Sequence, residues 1–129
     1  MPLNLRYTIN RSIVIFRYKQ PFLDLISQVE PDLGKTQNLH DLNEDGDGFL
    51  LPGEGHVESR EEAVAWIEKR WRGFFEHILE DWYTDPDLWP KKLTLKMFRE
   101  WFEIDYRSMA WDLAEMPIEI EDWSEEDVE

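Results

Sequence analysis

Residues 59–82 constrain the fold more than any other part of the chain. Ser59 followed three residues later by Glu62 is a capping box, a pattern that satisfies free backbone N–H groups at a helix start. Beyond it Val64, Ile67, Trp71, Phe74, Phe75, Ile78, Leu79 and Trp82 recur at helical spacing on one broad face. The spacing predicts a single helix over residues 60–82 with an apolar side that another element has to cover. Gly73 sits inside it, where it costs up to ~1 kcal/mol relative to Ala and leaves room for a neighbour to approach.

The cover has to come from strands and shorter helices. Ser12–Tyr18 is β-branched and aromatic and reads as a strand buried on both faces. Leu3, Leu5, Tyr7 and Ile9 alternate with polar residues and predict a second strand, paired to the first through a turn near Asn10–Arg11. Pro21 suits the first turn of a helix carrying Phe22, Leu25, Ile26 and Val29, and Pro31 stops it at Glu30. Residues 31–48 are polar and turn-rich, and Phe49–Leu51 before Pro52 reads as a short strand. Asp85-Pro86 and Trp89-Pro90 break the chain. Thr94 then caps a helix carrying Leu95, Phe98, Trp101 and Phe102. Residues 106–113 fit a helix face or a strand, and a strand would close a small sheet. The expectation is an α+β fold: a small, mainly antiparallel sheet with two or three helices packed on one face. Residues 1–114 form the single domain and residues 115–129 an acidic, disordered C-terminal tail.

Charge narrows the partners. The chain of 129 residues carries a net −15, from 29 acidic and 14 basic side chains. That disfavours nucleic acid and anionic membranes, both of which need positive surface. Arg6, Arg11, Arg17 and Lys19 put the first nineteen residues on the opposite side of neutral, whereas the last fifteen hold eight acids and no base. Cysteine is absent, which excludes disulfides and thiol chemistry and leans towards a cytoplasmic setting. No secretory signal is visible, and no apolar run approaches the ~20 residues of a membrane span.

The segment Asp41-Leu-Asn-Glu-Asp45-Gly-Asp47-Gly48 is the one motif with metal chemistry in it. Calcium takes six to eight oxygen ligands on a sharply turning backbone. The segment resembles an EF-hand calcium loop. In one register Asn43, Asp45 and Asp47 supply side chains, Gly48 makes the turn, Phe49 offers its carbonyl, and Glu54 closes the site. A second register starts at Asp41 and adds its carboxylate. Against the first, Leu51, Pro52 and Gly53 stand where a leaving helix should begin; against the second, Gly48 and Pro52 spoil the later places; and an exposed turn uses the same Asp, Asn and Gly residues.

Other chemistry is thin. The chain has no nucleophile elbow, no phosphate cradle and no helical histidine pair for zinc. A non-catalytic reading follows, in which tryptophans outside the main apolar face anchor a protein partner. The candidates are Trp66 at the edge of the long helix, Trp89 on the loop, and Trp123 among the acids of the tail.

Lys19-Gln-Pro-Phe-Leu-Asp24, Leu50-Leu-Pro52, Trp82-Tyr83, Asp87-Leu-Trp-Pro90, Phe98-Arg-Glu-Trp-Phe102, Ser108-Met109 and Asp112-Leu113 occur in an order that resembles a group of small uncharacterised bacterial acidic proteins, over residues 12–118. The resemblance implies no known activity and implies that Phe49–Pro52 is a strand. The functional expectation is therefore a binding or regulatory protein acting through an acidic surface on a protein partner, for which a basic partner is the natural fit. A calcium-binding module through loop 41–54 is the alternative, and a nucleic-acid mimic occupying a basic partner is the third.

Overall fold

A computed structural model describes residues 7–123. Its strands are β1 (Thr8–Ile9), β2 (Arg11–Tyr18), β3 (Gly48–Pro52), β4 (Phe102–Arg107) and β5 (Ala110–Trp111). Its helices are α1 (Gln20–Val29), α2 (Pro31–Thr36), α3 (Leu39–Leu42), α4 (Arg60–Glu68), α5 (Trp71–Trp82) and α6 (Leu95–Trp101), with a 3-10 turn at Pro86–Leu88. The sheet order is β3-β2-β4, antiparallel throughout, so the fold is α+β.

Only one face of β2 is covered. Ser12, Val14 and Phe16 are buried, whereas Arg11, Ile15 and Arg17 are exposed and Ile13 is half-buried. The expected two-sided burial is corrected because the core lies on one side of the sheet. It joins Val14, Phe16, Leu51, Phe102 and Ile104 to Phe22 and Ile26 of α1, Ala63 and Ile67 of α4, Phe75, Ile78 and Leu79 of α5, and Phe98 of α6. Phe16 meets Phe49, Phe74 and Phe98 at ring separations of 5.3, 5.2 and 5.9 Å, two of them edge-on, which is the favoured geometry for aromatic pairs.

The first strand pairing also differs. β1 does not fold back on β2; it pairs with β5, with Ile9 opposite Ala110. Between that pair and the Ile13–Arg107 pair, residues 10–12 face only residues 108–109, so one extra residue bulges here. The part of the predicted strand before Tyr7 lies outside the described residues.

The helix expected over 60–82 is two helices, and Arg70 is the reason. Its Nη1 donates to the Trp66 carbonyl at 2.9 Å, the acceptor its own N–H would use in a continuous helix. The Arg70 N–H turns to the Ile67 carbonyl instead, and the guanidinium stacks 3.7 Å from the Trp66 ring centroid. Gly73 brings no neighbour close: a Cβ there would meet nothing within 4 Å.

Residues 31–48 are more helical than their polarity suggests. Pro31 stops α1 and starts α2, and Asn38 caps α3 by accepting the Asp41 N–H at 2.8 Å. Gly34 lets α2 lie against α1, since a Cβ there would fall 2.5 Å from Ser27 Cα. Phe102, expected in the last helix, opens β4, and of the ambiguous segment beyond it residues 106–107 and 110–111 are strand and none is helix. Residues 112–123 form neither helix nor strand.

Candidate functional site

The calcium-loop residues are divided among several places. Asp41 accepts from Asn38 Nδ2 at 3.0 Å, and its carboxylate lies with His40 and Glu44 in an exposed group whose donor atoms fall within 4.8 Å of one another. The Asn43 amide is engaged with Tyr18: Oδ1 accepts the Tyr18 N–H at 2.7 Å, and Nδ2 donates to the Tyr18 carbonyl at 3.1 Å. Phe49 lies in β3, opposite Val14, with its ring against Phe16 and Phe74. Glu54 follows the far end of β3, exposed, in a recess with Arg11, His56 and Trp66. At ~3.3 Å per residue the strand between Asp47 and Glu54 is itself about 13 Å long. Pairing with β2 replaces the leaving helix that would bring a twelfth-position carboxylate back.

Asp45 and Asp47 are brought together with a residue no motif indicated. They line a notch of about 370 Å³ with Gly46, Tyr18, Trp82 and Asp81 from the end of α5. The Trp82 indole donates to the Tyr18 hydroxyl at 3.1 Å and holds the two rings edge-on. Burial pushes the Tyr18 phenol up, the Trp82 hydrogen bond works against this, and the Asp81 and Asp47 charges add to it. A notch that combines three carboxylates with an indole and a phenol suits an alkylammonium or guanidinium group.

A larger open groove of about 740 Å³ runs between α1 and the loop at 86–91. Leu25, Val29, Leu88, Trp89, Pro90 and Trp101 give it apolar walls, and Asp24, Asp87 and Lys91 supply its charges. The loop is stiffened locally. Asp85 Oδ1 accepts the Asp87 N–H at 3.0 Å, and the Trp89 indole donates to the Tyr83 carbonyl at 2.8 Å. Tyr83 itself is buried and donates to Glu30 Oε2 at 2.7 Å. Burial, then that hydrogen bond and the Glu30 charge, push its phenol well up, so it remains a donor.

Phe22, fully buried, touches aromatic residues of both notch and groove. Its ring lies 4.6 Å from Tyr18 and 5.7 Å from Trp82 of the notch, and 5.9 Å from Trp101 of the groove. The three tryptophans singled out as anchors part company. Trp89 lies in the groove, Trp66 lies half-buried beneath Arg70 in the recess with Glu54, and Trp123 is 83% exposed at the end of the described chain. Trp82 and Trp101 pack against the core, as their helical spacing implies, and each also lines a recess, which only the breakers Asp85-Pro86 and Trp89-Pro90 between them could have signalled. Set against protein-family models, curated proteins and solved structures, the chain matches none of them.

Proposed function

We propose that the chain is a non-catalytic binding protein whose partner presents a short segment with a basic side chain next to an apolar one. The observation that carries this is that aromatic residues of both recesses, Tyr18 and Trp82 of the notch and Trp101 of the groove, pack on one buried ring, Phe22. The notch of Asp45, Asp47 and Asp81 takes the cation over the Tyr18–Trp82 pair, and the Trp89–Trp101 groove takes the apolar residue. A few well-packed aromatic and arginine anchors supply most of the energy in such interfaces. The net charge of −15 adds long-range attraction for a basic partner, which acts mainly on the association rate and fades with salt.

The test is site-specific photocrosslinking of the full chain. A photoreactive residue replaces Leu88, which is 41% exposed in the groove, and in a control replaces Glu58, which is exposed and outside both recesses. The expected result is a crosslinked peptide containing Lys or Arg, from position 88 alone, lost in Asp45→Lys/Asp81→Lys. Equal yield from both positions, or insensitivity to the charge reversal, would remove the proposal.

A further inference from the structure

Among the described residues the three-stranded sheet has one free edge, on β3. Asn43 serves the Tyr18 N–H and carbonyl on the β3 side of β2, whereas Lys19 donates to the Trp101 carbonyl on the β4 side. Backbone groups alternate in direction along a strand, so Ser12 and Val14 bond to Leu51 and Phe49 opposite them. Gly48 and Leu50 therefore turn both their N–H and their carbonyl groups away from β2. No described residue takes these groups up, and both residues are exposed. The opposite edge is closed: α4 packs against β4, and Arg60 Nη2 donates to the Ile104 carbonyl at 3.4 Å. An open strand edge is a template for a further strand.

Helix α5 runs beside this edge and makes a strip of it. Arg70 at its start, then Gly73, Phe74 and His77, line an open hollow of about 230 Å³ with Phe49 of β3. Phe49 meets Phe74 at 5.4 Å and His77 at 5.9 Å, edge-on in both cases. Gly73 keeps the hollow open. It weakens the helix by up to ~1 kcal/mol relative to Ala, for room that no described residue uses. One turn beyond His77, Asp81 joins Asp47 in the acidic notch. His77 to Asp81 is ~6 Å of helix and Phe49 to Asp47 ~7 Å of strand, so hollow and notch lie one strand repeat apart.

We propose that the partner segment docks as an added strand on β3, antiparallel to it. Gly48 and Leu50 exchange backbone hydrogen bonds with it. The residue opposite Phe49 is apolar and fills the hollow over Gly73. The residue two places later, opposite Asp47, is the Lys or Arg that enters the notch. The inference rests on the notch as read under the proposed function, and adds to it an extended conformation and the order apolar, any residue, basic. Charge and reach select a partner over the chain's own ends. Residues 124–129 hold four acids and no base, and the notch is lined by three carboxylates and no base. Arg70 lies at the far end of the hollow and is held on Trp66. Residues 1–6 span roughly 22 Å at most from Tyr7, and β2 alone puts ~23 Å between Arg11 and Tyr18. A second copy brings another net −15.

The test is amide hydrogen exchange of the full, isotope-labelled chain, alone and with two synthetic peptides. One carries isoleucine two residues before arginine; the other has the same composition with the two adjacent. The expected result is free exchange at Gly48 and Leu50 in the chain alone, slowed at least about tenfold by the first peptide and by it only. Gly73→Leu, which fills the hollow, weakens that peptide at least about tenfold, and Asp45→Lys/Asp81→Lys abolishes its binding. If charge reversal abolishes binding while both amides stay open, the added strand is overturned and the notch stands. Binding that ignores charge reversal overturns the notch and this inference with it. Protection in the chain alone overturns the proposal, whether constant, from its own termini, or rising with concentration, from a second copy. So does an unchanged affinity in Gly73→Leu, or no binding of the first peptide.

Discussion

Asn43 completes the backbone hydrogen bonding of Tyr18 from both sides of its amide, accepting the N–H at 2.7 Å and donating to the carbonyl at 3.1 Å. Lys19 donates to the Trp101 carbonyl, so the neighbouring Tyr18 turns its polar groups to the other edge of β2. There β3 has already ended, with Gly48 opposite Ile15. The side chain of Asn43 stands in for the missing strand, and in doing so it fixes the floor of the acidic notch.

Two substitutions at this position separate a structural role from a metal-ligand role. Asn43→Ala removes both bonds and lowers stability by about 1–3 kcal/mol. Asn43→Asp keeps the acceptor but sets a carboxylate against the Tyr18 carbonyl, so it is also destabilising. Chemical denaturation measures both. A calcium ligand behaves oppositely, since Asp there would strengthen calcium binding and calcium would raise Tm.

Two glycines predict opposite signs. A Cβ at Gly34 would fall 2.5 Å from the Ser27 backbone, so Gly34→Ala forces α2 off α1 and costs about 1–3 kcal/mol. Gly73 lies within α5 with open space around it, so Gly73→Ala stabilises by about 0.5–1 kcal/mol. Thermal melts of the two variants give the comparison directly.

The Glu68–Arg99 pair sets a pH dependence. Arg99 donates to both Glu68 oxygens, at 2.9 and 2.8 Å, and holds the carboxyl below its ordinary value. A folded-state value lowered in this way contributes stability above the unfolded carboxylate pKa, and that contribution fades as pH falls through the lowered value. Glu68→Gln therefore lowers Tm at pH 7 by a small amount, since the pair is on the surface, and the difference from the unmodified chain closes as pH falls through the lowered value. A Tm difference that persists at the acid end would assign the effect to packing instead.

What could be read from the residues alone was local. The Ser59 cap forms, with its hydroxyl accepting the Glu62 N–H at 3.1 Å, and Thr94 does the same for Met97. Glu62 reaches the Glu58 N–H instead of completing the box. Pro21 and Pro31 each fall in the first turn of a helix. What escaped depended on tertiary choices. Arg70 divides the long helix by taking a backbone acceptor, and apolar spacing does not record that. Phe102 fits the face of α6 as well as the start of β4, and only Tyr18 across the sheet decides between them. The notch needs Asp81 beside Asp45 and Asp47, residues more than thirty positions apart with no spacing rule to link them.

The most direct test of the proposed interface uses the indole N–H resonances of the seven tryptophans. The full chain is titrated with a synthetic peptide that places a leucine–proline anchor between arginines, and with the same peptide carrying glutamates for arginines. The account predicts saturable shifts of Trp82, Trp89 and Trp101 with the first peptide only, while Trp66 and Trp123 stay in place. Shifts confined to Trp66 or Trp123, or identical responses to the two peptides, would contradict it.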